Sequence, residues 1–177
     1  MLKFNCNNFT TGGTLLKTST NDKAIIKEVT IDTPINFVWY AWTVSERVSE
    51  WFAAETVVEA KVGGAYELYF IPGNTTGMNT KGCKITKFIN EKELHFTWKG
   101  PDQFNTLMNN ENALTTVKVS FSSINENSTK VIVEHIGFED NEDWMEAINW
   151  HQMAWSGVLN SLKSALENGE GNLCCHP

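Results

Sequence analysis

The chain has 177 residues, enough for one domain that buries most of its apolar surface and too few for two roomy ones. Its 14 Lys+Arg against 21 Asp+Glu give a formal net charge of −7 with the basic residues scattered, which argues against nucleic-acid and anionic-membrane partners. Met1 to Thr20 lacks the charged start, apolar stretch and cleavage site of a signal peptide, and no later run has the length of a membrane span. The reading is therefore a cytoplasmic protein with no membrane insertion.

Residues 1–23 are rich in Asn, Thr, Gly and Ser and cannot repay their ordering entropy alone, so they are expected to form an arm before a domain at 24–168. The β-branched run Ala24 to Ile31 reads as a strand. The period then changes. Thr33 can cap a helix with Pro34 at its first position, followed by Val38, Trp39, Ala41 and Trp42, and a second short helix is expected over Ser45 to Trp51.

From Thr56 onward the pattern alternates. Tyr66, Leu68 and Phe70 share one face of a strand, as do Leu94, Phe96 and Trp98, then Val117, Val119 and Phe121, then Val131, Val133 and His135. Short joints such as Ile89 to Glu93 and Asn125 to Ser128 favour antiparallel hairpins, because parallel strands need long crossovers. Gly63 and Gly64 suit a tight turn, and the absence of GxxxxGK[ST] rules out a phosphate loop.

The strongest pattern comes last. Trp144, Ile148, His151, Trp155, Val158, Leu162 and Ala165 recur at spacings of three and four, which predicts a helix from about Glu142 to Glu167. Asp140 or Asn141 can cap it, Glu142 and Asp143 suit its positive end, and Gly169 follows it, leaving 169–177 as a tail. The acidic run Glu139 to Asp143 is accounted for by those roles and lacks the alternating ligands of a calcium loop. The predicted fold class is α+β, a curved antiparallel sheet around a long terminal helix.

The stretch from Thr33-Pro34 through Val38-Trp39 and Ala41-Trp42-Thr43 to Trp51-Phe52 resembles the opening of the bacterial homologues of the activator of Hsp90 ATPase, within the START-like (SRPBCC) superfamily. So do Val62-Gly63-Gly64 with Ala65 to Phe70, Leu94 to Trp98, Thr129 to Phe138, and Trp155-Ser156-Gly157-Val158-Leu159 with Leu162 and Leu166. The matches run in the family's order over residues 24–167. The resemblance implies the helix-grip fold and a cavity between sheet and terminal helix. The residues expected to line or floor that cavity are Tyr66, Leu68, Phe70, Phe96 and Trp98 on the strands, and Trp144, Ile148, His151 and Trp155 on the helix. Trp51 and Phe52 are expected at its rim, as a gate or as a staple between helix and sheet.

His151 interrupts an apolar stripe and is a candidate acid/base, with His135 a second; the competing reading for each is a hydrogen-bonded core histidine. His95 falls on the mixed face. No GxSxG, HExxH or Cys/His nucleophile pattern is present. Cys6, Cys83, Cys174 and Cys175 show neither CxxC pairing nor ligand spacing, and Cys174-Cys175 before His176 is poorly placed to chelate one metal ion. No metal or cofactor is expected.

The expected function is binding of a small hydrophobic or amphipathic molecule, such as a lipid, aromatic or polyketide-like metabolite. One alternative is a cyclase- or hydrolase-like enzyme using His151 or His135 in the same cavity. Another is an Hsp90-associated role, disfavoured because the residues before the first strand cannot supply the additional domain of the eukaryotic co-chaperone. A homodimer through a sheet edge is compatible with the pattern.

Overall fold

The computed structural model describes residues 23–173. The expectations for the arm, Cys6, Cys174, Cys175 and His176 fall outside those residues. The elements are β1 (Lys23–Ile31), α1 (Ile35–Thr43), α2 (Ser45–Val48), β2 (Glu55–Val58), β3 (Tyr66–Tyr69), β4 (Ile85–Ile89), β5 (Glu93–Trp98), α3 (Asn105–Met108), β6 (Thr115–Asn125), β7 (Ser128–Phe138) and α4 (Glu142–Asn168). A 3-10 turn, Asp102–Phe104, leads into α3.

A five-stranded sheet has the order β1-β7-β6-β5-β4, antiparallel throughout, and β2 pairs with β3 in a separate ribbon. The ribbon joins the sheet edge at β4, where Ala65 bridges Lys84 and the Tyr66 N–H donates to the Cys83 carbonyl at 2.9 Å. Register shifts in β1, β4 and β6 interrupt the ladder, and such bulges bend strands and increase twist. The result is a curved sheet with α4 lying in it.

Alternation decides what faces α4. On β5, Leu94, Phe96 and Trp98 are buried while Glu93, His95 and Thr97 are partly exposed; β6 and β7 repeat this with Val117, Val119, Phe121, Val131, Val133 and His135. The turn before β3 needs two glycines for two reasons. Gly63 has φ of +81°, and a Cβ on Gly64 would sit 2.2 Å from the Glu59 carbonyl oxygen.

Helix α4 is capped by Asn141, whose side-chain oxygen accepts from the Trp144 N–H at 3.2 Å, and it ends on left-handed Gly169. Its core stripe is Trp144, Ala147, Ile148, His151, Trp155, Leu159 and Leu162. Leu159 takes the place expected for Val158, which is half-buried along with Ala165. From Trp155 the stripe steps by four and then three, following the natural drift of a 3.6-residue helix.

Two further expectations are corrected. Pro34, with extended backbone and no side-chain cap, precedes the first helical residue Ile35; Thr33 does not cap α1 but lends its carbonyl to the buried Thr129 hydroxyl at 2.8 Å. The second short helix stops at Val48 rather than Trp51. Beyond it the chain turns so that the Trp51 indole N–H reaches the Ala41 carbonyl at 2.8 Å, a contact a continuing helix would forgo.

Candidate functional site

Beside α4 the grip is not filled. A cavity of about 690 Å³ opens between α4, the ends of β3 and β5, and the segment after α2. Trp51, Phe52, Phe70, Trp98, His151 and Trp155 share its wall, so these expected residues are brought together. Phe52 and Trp98 lie nearly parallel, 6.1 Å between ring centroids, and Trp155 meets both at 5.8 and 5.5 Å. Trp51 and Phe52 are buried and stacked at 4.8 Å. With its indole tied to α1, Trp51 staples the post-α2 turn and forms cavity wall at once.

Tyr66, Leu68, Phe96, Trp144 and Ile148 do not reach the cavity; each is buried in the packed part of the grip. Tyr66 stacks on Phe96 at 4.0 Å and donates its hydroxyl to the Trp42 carbonyl at 3.1 Å. Burial holds that phenol far above its ordinary pKa, so it stays protonated. Trp144 meets Phe138 edge-on at 5.9 Å. These rings fill one another's space, and a side chain on the correct face can still be core.

The histidines form one connected array. The Trp98 indole N–H donates to His151 Nε2 at 3.2 Å, and His151 Nδ1 lies 2.7 Å from the Ala147 carbonyl, which fixes the proton on Nδ1. The Trp155 indole donates to His135 Nδ1 at 3.1 Å, so His135 Nε2 carries the proton and donates to Thr115 Oγ1 at 2.8 Å. The Thr115 hydroxyl donates in turn to the Trp98 carbonyl at 3.4 Å. The two imidazoles are 5.1 Å apart and nearly perpendicular.

Desolvation keeps both rings neutral. Burial lowers His151 to about 4 against a small opposing pull from the Ala147 carbonyl, and burial with the neighbouring His151 drives His135 well below its ordinary value. Both nitrogens of each ring are engaged by protein groups, so neither offers a lone pair or a proton to a substrate. His95 lies on the other face beside Glu93 at 3.3 Å. Buried Cys83, its thiol pushed up to about 11 mainly by desolvation, is a poor nucleophile. Among the described residues no group of three His, Cys, Asp or Glu side chains converges as a metal site, and no helix is long and apolar enough to cross a membrane.

Part of the wall escaped the sequence reading. Met78, Asn79, Gly100 and Pro101 come from loops whose position depends on the closed sheet. Trp150, Met153, Ala154, Gly157 and Ser161 come from α4, on a second face beside the core stripe that also takes in Val158, which the spacing places on the stripe itself. That periodicity was available in the sequence but is weakened by its small and polar members. Asn172 comes from the strap after α4, where its backbone N–H donates to Ser161 Oγ at 2.7 Å and Ser161 in turn donates to the Trp51 carbonyl at 2.7 Å.

The model of the family described as Activator of Hsp90 ATPase homolog 1-like protein matches residues 32–167. Among solved structures, protein MLL2253 from Mesorhizobium loti shares 18% identity at a TM-score of 0.66, over 84% of this chain and 99% of that one. The Aha1 dimer from Colwellia psychrerythraea shares 22% identity at 0.64, over 84% and 99%. PFC0360w from Plasmodium falciparum, described as an HSP90 activator, shares 17% at 0.60, over 83% and 96%. Comparison with curated proteins returns no match. At these identities the structural likeness establishes the fold.

Proposed function

The chain belongs to the Activator of Hsp90 ATPase homolog 1-like family, and from that premise we propose that it binds a small apolar or amphipathic molecule in the cavity beside α4. The observation that carries the reading is an aromatic-walled cleft of about 690 Å³ beside α4, partly open to solvent. That volume falls in the size range of small-molecule sites. The wall offers ring faces from Phe52, Phe70, Trp98 and Trp155, with Asn160 and Asn172 as polar groups.

The enzymatic reading has less support, because the ring nitrogens of His135 and His151 are consumed by Trp98, Trp155, Thr115 and Ala147. Hsp90 activation, the description carried by the Plasmodium protein, has no particular residue here to recommend it. The test is native mass spectrometry of the protein purified from its host. A co-purifying small molecule, lost when the cavity is blocked by Ala154→Trp, is the expected result; protein that emerges bare and is not thermally stabilised by any member of a lipid and aromatic-metabolite panel would contradict it.

A further inference from the structure

The cavity wall also bears on what kind of molecule it admits, an inference that rests on the binding function proposed above. Lys99 is the one charged residue of the wall among the described residues, and its ammonium donates to the Lys81 carbonyl at 2.7 Å. The indole N–H groups of Trp51, Trp98 and Trp155 donate to Ala41, His151 and His135. Ser161 Oγ is bound on both sides, by Trp51 and Asn172. The rings of Trp51, Trp98 and Trp155 therefore present their faces while their N–H groups serve the protein. An anion held against those ring faces, away from Lys99, Asn160 and Asn172, would lose its hydration without a compensating partner.

Two glycines lie on the wall, and only one is explained by the protein. A Cβ on Gly100 would fall 2.5 Å from Met108 Sδ, so packing demands glycine there. Gly157 stands in the interior of the 27-residue helix α4, and a Cβ built on it meets nothing within 4 Å. Glycine inside a helix is destabilising relative to alanine, and no side chain, turn or positive φ accounts for it at this position. What the missing Cβ leaves is bare, exposed helix backbone on the cavity wall, to which Ala154 and Val158 also contribute.

We propose that the site takes an uncharged aromatic body, which packs against the α4 backbone at Gly157, and that Gly157 is a size-selecting residue of the cavity. The helix gives up stability at this position for space that its occupant uses. Substitution should therefore move stability and binding in opposite directions, whereas a surface glycine without a role would change stability alone.

The probes are N-phenyl-1-naphthylamine, which is neutral, and 1-anilinonaphthalene-8-sulfonate, which adds a sulfonate to the same skeleton. Binding is measured by fluorescence titration on the full chain stripped of any carried molecule, with amide chemical shifts at 98–100 and 157–158 locating the probe. The neutral probe is expected to bind at least tenfold more tightly than the sulfonate. Gly157→Ala should raise the Tm of the free protein by about 1 to 4 °C while weakening the neutral probe. Gly157→Leu should weaken it at least tenfold without lowering the Tm. Gln152→Leu, on an exposed part of α4 outside the cavity wall, should leave binding unchanged.

Equal affinity for the two probes would overturn the uncharged class. Tight neutral-probe binding that Gly157→Leu leaves intact, or that Gln152→Leu reduces equally, would overturn the role of Gly157 while the binding function stands. No neutral-probe binding by the native chain, together with bare protein in the mass spectrum, would overturn the binding function and this inference together.

Discussion

The grip has two halves built from the same kinds of residue, and they do opposite things. In the packed half Tyr66, Leu68, Phe96, Trp144 and Ile148 are buried, Tyr66 stacked on Phe96 and Trp144 edge-on to Phe138. In the open half Phe52, Phe70, Trp98 and Trp155 stand around a space they do not fill. Apart from Phe52, which comes from the turn after α2, both halves come from strand alternation and helix periodicity, so hydrophobic pattern selects the face and leaves volume undecided. The division follows from what each ring touches. Phe96 is covered by Tyr66 at 4.0 Å, while Phe70 meets Phe52 and Trp98 edge-on at 6.2 and 6.3 Å with one side toward the cavity.

The sharpest way to break that comparison is to truncate one ring from each half. Phe96→Ala, at a fully buried position, should cost about 3 to 5 kcal/mol, whereas Phe70→Ala should cost about 1 to 2 kcal/mol because part of its surface already faces open space. Urea denaturation of both variants checks this, and equal losses would mean that the open half is not open in solution.

A slightly smaller effect tests the array between the halves. His151 and His135 have folded pKa values depressed below their unfolded ones, so the unfolded chain binds more protons between the two. The stability they contribute is complete above about pH 6.5 and is lost as pH falls toward the folded values. For His151, lowered to about 4, the loss is on the order of 3 kcal/mol. Unfolding free energies from pH 7 to pH 4 should fall along that window; a flat profile would show that the imidazoles are not held neutral.

The strap beside the cavity gives the smallest expected change. Ser161→Ala removes the hydroxyl that links the Trp51 carbonyl to the Asn172 N–H, and should cost about 1 to 2 kcal/mol. Faster amide exchange at 171–173 than in the rest of the chain would place the loss in the strap, while a uniform change would not.

Much of this architecture was legible in the sequence. Alternation located the inward faces of β3, β5, β6 and β7, and the three-and-four spacing located α4 with its Gly169 stop and a cap at Asp140 or Asn141, of which the structure uses Asn141. The short elements were less readable. Thr33 has the chemistry of a cap, yet its carbonyl is claimed by Thr129, and Trp51 reads as helical until its indole finds Ala41. These are contacts between segments distant in sequence, and local propensity cannot see them.

At the site the limit was different. Trp98, His151 and Trp155 were identifiable as inward-facing residues. What sequence could not convey was that each indole takes an imidazole as its acceptor, which turns a candidate acid/base pair into wall support. Nor could it convey the empty volume, which is a property of how loops 78–79 and 99–101 approach the second face of α4.

The central claim is that the open half holds a molecule. Its most direct test is a high-resolution crystal structure of the protein purified from its host without refolding. Continuous non-protein density between Trp98, Phe52 and the α4 backbone at Gly157 is the predicted result. A cavity collapsed so that those walls meet in van der Waals contact would contradict it.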